Sequence, residues 1–187
     1  MKRTFARVSA GLAFALAAGT VTAVMAAPVG AATPVQTCKK VTGSATFTPG
    51  LTNTPRTNTV KARGNESGCT PTAKTGGSGV LTATIKVVNG SCAKLATGKQ
   101  TIKGTAATTW HNKKVSKYAL TLVTGSGSAA TTANITGTVT SGLFVHHKVT
   151  GQIKFKVSGT PNCTTKPVKA VTFVSSKPFV IHSKNNL

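Results

Sequence analysis

Lys148-Val149-Thr150-Gly151-Gln152-Ile153-Lys154-Phe155-Lys156-Val157 is the stretch that decides the fold. Val149, Ile153, Phe155 and Val157 alternate along it with Lys148, Gln152, Lys154 and Lys156. Successive side chains of a strand point to opposite faces, so this segment is a strand with one apolar face and one wet, cationic face. The pattern recurs elsewhere. Leu81, Ala83, Ile85 and Val87 alternate with Thr82, Thr84 and Lys86; Tyr118, Leu120 and Leu122 with Lys117 and Thr121; Ile135, Gly137 and Val139 with Asn134, Thr136 and Thr138. Thr and Val, which fit a pleated, half-buried surface, are abundant, whereas helix-forming Glu, Gln, Leu and Met are scarce.

The alternation predicts strands over 41–48, 57–63, 80–89, 101–111, 115–124, 132–140, 147–158, 168–175 and 178–182. Turn signals separate them: Pro49-Gly50, Gly64-Asn65, Gly76-Gly77-Ser78-Gly79, Asn112-Lys113, Gly125-Ser126-Gly127-Ser128, Ser141-Gly142 and Pro161-Asn162. No stretch is left for a long amphipathic helix. The expected fold is all-β, a single antiparallel β-barrel or β-sandwich of about eight or nine strands. Its core is expected to draw on Phe47, Leu81, Ile85, Val87, Ile102, Trp110, Leu120, Leu122, Ile135, Val139, Ile153, Phe155, Phe173 and Phe179.

The first residues read as an address. Lys2, Arg3 and Arg7 precede an apolar run from Val8 to Val24, and small residues follow, so cleavage fits after Ala26 or Ala32. Residues 1–32 are thus expected to be a signal peptide and 33–187 a single all-β domain, secreted and without a membrane span once the leader is removed. Cys38, Cys69, Cys92 and Cys163 all lie beyond the leader, and an even count in an exported chain points to two disulfides. No C-x-x-C pair supports a zinc site. If consecutive strands run up and down, Cys38 and Cys69 fall at one end of the sheet and Cys92 and Cys163 at the other. That favours the pairs Cys38–Cys69 and Cys92–Cys163.

Charge sorts the function classes. The chain holds 23 Lys plus Arg against one acid, Glu66; three of the bases sit in the leader, leaving 20 against one and a net charge of +19. One carboxylate cannot build a two-carboxylate glycosidase site, a carboxylate-rich calcium site or a Ser-His-Asp triad. There is no G-x-S-x-G elbow and no phosphate-binding G-x-x-x-x-G-K-[ST] loop. Cysteines spent in disulfides supply no thiolate nucleophile. The expectation is a non-catalytic protein with no cofactor and no metal. His111, His146, His147 and His182 are read as strand-end histidines, with His146 and His147 on opposite faces. Trp110 and Tyr118 flank the Asn112-Lys113 turn, where they form either an aromatic platform or, more simply, core.

The lysines carry the strongest hint. Lys148, Lys154 and Lys156 share one face, Lys86 and Lys103 are expected outward on neighbouring strands, and Lys113, Lys114 and Lys117 cluster near a turn. Such a surface can hold anionic cell-wall polymers or extracellular nucleic acid through salt-sensitive contacts. The same lysines also serve solubility and keep strand edges from pairing with other chains. The alternative function is a small-ligand carrier with a cavity inside a barrel. An enzyme using Ser, Lys or His, or a structural coat component, stands behind these two.

Thr46-Phe47-Thr48-Pro49-Gly50-Leu51-Thr52, Gly137-Thr138-Val139-Thr140-Ser141-Gly142-Leu143-Phe144 and the four-cysteine layout together resemble a group of small secreted β-proteins of high-GC Gram-positive, actinobacterial type. The resemblance implies export and a β fold. It supplies no activity and no catalytic residue, and the many lysines here depart from the group's pattern. Architecturally the chain also resembles small ligand-binding barrels of the streptavidin type, whose pockets use several tryptophans where this chain has Trp110 alone.

Overall fold

The computed structural model describes residues 33–97, 99–125, 131–158 and 163–183. The expected signal peptide and the Pro161-Asn162 turn lie outside the described residues, as does most of the 125–128 turn. Eight strands run in chain order: β1 (Pro34–Leu51), β2 (Arg56–Thr70), β3 (Gly79–Gly90), β4 (Thr101–Trp110), β5 (Val115–Thr124), β6 (Thr132–Gly142), β7 (Lys148–Val157) and β8 (Val168–His182). Among the described residues a 3-10 turn (Thr72–Lys74) and one short helix, α1 (Cys92–Thr97), are the other elements. Each strand pairs antiparallel with its chain neighbours and β8 returns to β1, so the sheet is a closed up-and-down barrel.

Closure needs stagger between strands. Starting at Ala45, the directly paired residues run Ala62, Ala83, Ala106, Tyr118 and Val139 and drift toward one end of the barrel. On its other side Ala45 meets Val171, near the opposite end of β8. That offset is what separates a barrel from two packed sheets, and alternation within single strands does not encode it.

Three expectations about strands are corrected. Gly64-Asn65 is no turn but the middle of β2, where Gly64 faces Gly43 across the β1–β2 ladder. The Phe173 ring lies over both glycines: a Cβ at Gly43 would stand 2.5 Å from Phe173 Cζ, and one at Gly64 3.1 Å. Cys38 and Cys69 therefore lie inside strands, as a directly opposed pair, and not beyond strand ends. The segments 168–175 and 178–182 are one strand, β8, which bulges between Ser175 and Pro178 where its register with β1 and β7 shifts. A bulge accommodates Pro178, which has no N–H for the ladder.

The disulfides join Cys38 to Cys69 and Cys92 to Cys163, as strand parity favoured. The first sits at the end of the barrel where β1 starts, the second at the end where β3 and β7 finish. Ser183 N donates to Thr33 O at 2.8 Å, so the two ends of the described chain meet at the same end as the Cys38–Cys69 bridge.

Candidate binding cavity

Inward positions decide what each end of the barrel contains. At the end where Thr33 and Ser183 meet, they hold large or polar side chains packed shut. Trp110, Tyr118, Val139, Val149 and Ile181 are all at most 1% exposed. Trp110 Nε1 donates to Ser116 Oγ at 2.9 Å, and Ser116 Oγ donates to Leu143 O at 2.8 Å. Phe144 stands edge-on to Trp110 and Phe179 edge-on to Tyr118, with centroids 6.2 and 5.9 Å apart. Such pairs add to simple area burial.

Polar side chains are buried in this plug. Glu66 is 1% exposed and accepts a hydrogen bond from Thr108 Oγ1 at 3.0 Å. Its Oε2 lies 3.8 Å from Cys38 Sγ, a disulfide sulfur without a proton, so only a protonated carboxyl can donate in that contact. Burial pushes the Glu66 carboxyl up to about 7, and the Thr108 hydrogen bond opposes that rise. Burial, reinforced by the neighbouring Glu66, also raises Tyr118. Both amide atoms of Gln36 have no hydrogen-bond partner among the described residues. Cys38, Glu66 and Cys69 bring potential metal-ligand atoms together, but the disulfide occupies both sulfurs.

The other half of the barrel is hollow. A cavity of about 160 Å³ lies between walls that include Phe47, Leu81, Ile102, Leu122, Ile135 and Phe155. These six side chains are only half-buried, because they border free space instead of one another. The hollow follows from sequence: Ala45, Ala62 and Ala83 occupy consecutive inward positions across β1, β2 and β3, and Ala133 and Gly151 line the facing wall. A methyl group at Ala62 and Ala83 leaves room that leucine would fill, whereas Gly151 is already covered by Phe179, whose Cδ2 would stand 3.2 Å from an added Cβ.

The cavity reaches the end of the barrel where β3 passes into α1. Ser91, Lys94, Leu95, Gln100 and Thr124 line it there. One side of this rim is braced. Cys92 N donates to Thr52 O at 2.9 Å, Asn53 N to Cys163 O at 3.2 Å, and the buried Asn58 donates from Nδ2 to Pro49 O at 2.6 Å. On the β7–β8 side the lining includes Gln152 and its register partner Lys177. Gln152 is fixed by donating to Asn134 Oδ1 and accepting from Ser176 Oγ, both at 2.8 Å.

All eight lysines singled out from sequence, Lys86, Lys103, Lys113, Lys114, Lys117, Lys148, Lys154 and Lys156, are exposed. The structure does not gather them. Exposed Lys or Arg also occurs on β1 (Lys39, Lys40), β2 (Lys61, Arg63) and β8 (Lys169, Lys177), so β6 is the only strand without a basic residue. Across the ladders Lys86, Lys103, Lys148, Lys154 and Lys156 each face a threonine. Lys86 and Lys103 do come side by side, one step beyond the last β3–β4 pair, Ile85 and Gly104.

Trp110 and Tyr118 belong to the plug and present no aromatic platform. His146 and His147 sit in the β6–β7 turn, not on a strand; His147 Nδ1 lies 3.2 Å from Val145 O, and His182 Nε2 lies 2.8 Å from Thr150 Oγ1. A second hollow lies outside the plug between Lys74, Lys114, Phe144 and His147, and there Lys74 Nζ already stands 5.8 Å from the Phe144 ring centre. Sequence reasoning missed Lys94, Gln100, Gln152 and Lys177 as cavity residues. The findable signal was small residues recurring at inward positions of adjacent strands. No family model, no curated protein and no solved structure matches the chain.

Proposed function

We propose that the protein is an exported, non-catalytic carrier that takes a small apolar ligand into the open half of its barrel. The observation that carries this reading is the hollow itself. Its walls are almost wholly apolar, it opens beside α1, and the opposite end is sealed by a hydrogen-bonded aromatic plug. Apolar cavities of roughly 150 Å³ stay dry and accept a benzene-sized guest, so 160 Å³ suits a ligand with about one ring or a short chain in the hollow. The two disulfides fit an oxidising compartment, which agrees with the leader-like first 32 residues.

The cationic exterior reads as solubility and edge protection more readily than as a polymer-binding face. Its lysines encircle the barrel, and the chain has one acid with which to balance them. Salt-sensitive retention on teichoic acid or DNA beads, abolished by charge reversal at Lys148, Lys154 and Lys156, would reinstate the polymer reading. The carrier reading is tested by titrating the protein with benzene or 1-octanol while following the methyl resonances of Ile102, Leu122 and Ile135. Saturable shifts there, absent from Val139 and Ile181 in the plug, are expected. No shift with either guest would sink the reading.

A further inference from the structure

The cavity wall has a definite electrostatic character. Among the described residues two charged side chains line it, Lys94 and Lys177, and both are exposed cations. Neither has an acidic side chain to pair with, because the one Asp or Glu of the chain, Glu66, is buried in the plug and bonded to Thr108. The strongest aromatic partners for a cation are at the sealed end, where Trp110 and Tyr118 are buried; the aromatic side chains that line the hollow, Phe47 and Phe155 among them, are phenylalanines. A cationic guest would therefore meet two lysines with no acidic side chain to offset them.

Resting on the carrier reading above, we infer that the natural guest is an anionic amphiphile, a small carboxylate whose apolar part fills the hollow and whose head sits at the open rim beside Lys94. Depth fixes the orientation. A carboxylate driven to the apolar floor would lose its hydration without a partner, which is strongly unfavourable. At the rim it stays near water and gains the Lys94 ammonium, with Ser91 and Gln100 flanking α1 as neighbouring polar groups. Lys94 is the better placed of the two lysines, since α1 stands where the cavity ends. Lys177 lies on the β7–β8 wall beside a Gln152 whose amide is already engaged on both sides.

Three guests with one tail test the inference: octanoate, 1-octanol and octylammonium, each titrated against the oxidised protein by methyl shifts. Octanoate is expected to bind most tightly and octylammonium least. Lys94→Ala is expected to weaken octanoate roughly two- to fivefold, the range for an exposed ion pair, and to leave 1-octanol unchanged. Added salt should erode the octanoate advantage alone. Equal or tighter binding of 1-octanol overturns the anionic head while leaving the carrier reading intact. A loss seen with Lys177→Ala and not with Lys94→Ala overturns the assignment of the rim. Failure of all three guests to bind overturns the carrier reading itself. An unchanged thermal transition in Lys94→Ala separates a binding effect from misfolding.

Discussion

The two ends of this barrel are made by the same eight strands with the same alternation, yet one is a plug and the other a vessel. The plug end places Trp110, Tyr118 and Ile181 inward, and the vessel end places Ala45, Ala62 and Ala83 at equivalent inward positions. Side-chain volume, not topology, makes the difference. Stability and binding are thereby divided: the plug end supplies the dense packing that holds the barrel closed, and the hollow end gives up packing contacts for space. Close-packed interiors penalise such space, because atoms lining a void lack partners on one side. The braces at the rim, Cys92–Cys163 and the Asn58 hydrogen bond, offset part of that loss.

The contrast can be broken from either side. Removing Cys92–Cys163, which closes the longer loop with a sequence separation of 71, should cost about 4 kcal/mol by the chain-entropy argument, with Cys38–Cys69 slightly less at a separation of 31. Under native conditions a reductant should open Cys92–Cys163 first, because Cys163 is half-buried at the rim whereas Cys38 and Cys69 are 0% exposed; thiol labelling with mass analysis reads the order. Trp110→Ala should cost about 3–5 kcal/mol in urea denaturation, because it empties the plug and strips Ser116 of a donor. Leu122→Ala, on the hollow wall, should cost only about 1–2 kcal/mol, since the side chain is half-buried to begin with. Equal costs at the two sites would erase the distinction.

Glu66 sharpens the same contrast through pH. Its carboxyl titrates near 7 in the folded chain against 4.5 ordinarily, so the native state keeps a proton that the unfolded chain releases between those values. Stability from this group is fully present below about 4.5, falls as pH rises through about 7, and is level above that, a loss of about 3 kcal/mol. Glu66→Gln should flatten this slope and make the protein more stable than the parent at pH 8, as followed by thermal melts across pH. The smallest stability change is expected for Ala83→Phe, which fills the hollow: within about 1 kcal/mol of the parent, with guest binding abolished.

Much of the scaffold was legible because burial follows a period of two. The inward residues of β3, β5, β6 and β7 announce themselves, and every side chain expected in the core belongs to it or packs against it. The second half of β2 was not legible: its inward residues, Gly64 and Glu66, are a glycine beneath Phe173 and the lone carboxyl, and neither looks like core. Ser175-Ser176-Lys177-Pro178 imitates a turn because a bulge uses the same residues. The hollow was hidden for a related reason. A search for core favours large apolar side chains, whereas a cavity is written in alanines whose significance appears only when strands are set side by side. Lys94 lay in a segment with no strand pattern, and only the fold brings it to the rim.

The meeting of Thr33 and Ser183 has a consequence for how the molecule can be mounted. Both ends of the described chain leave the barrel on the side opposite its mouth. A fusion or surface attachment made through either end would hold the barrel by its base with the opening facing away. Joining the two ends and cutting between Thr52 and Pro55 should likewise give a permuted chain that keeps the whole hydrogen-bonded ring.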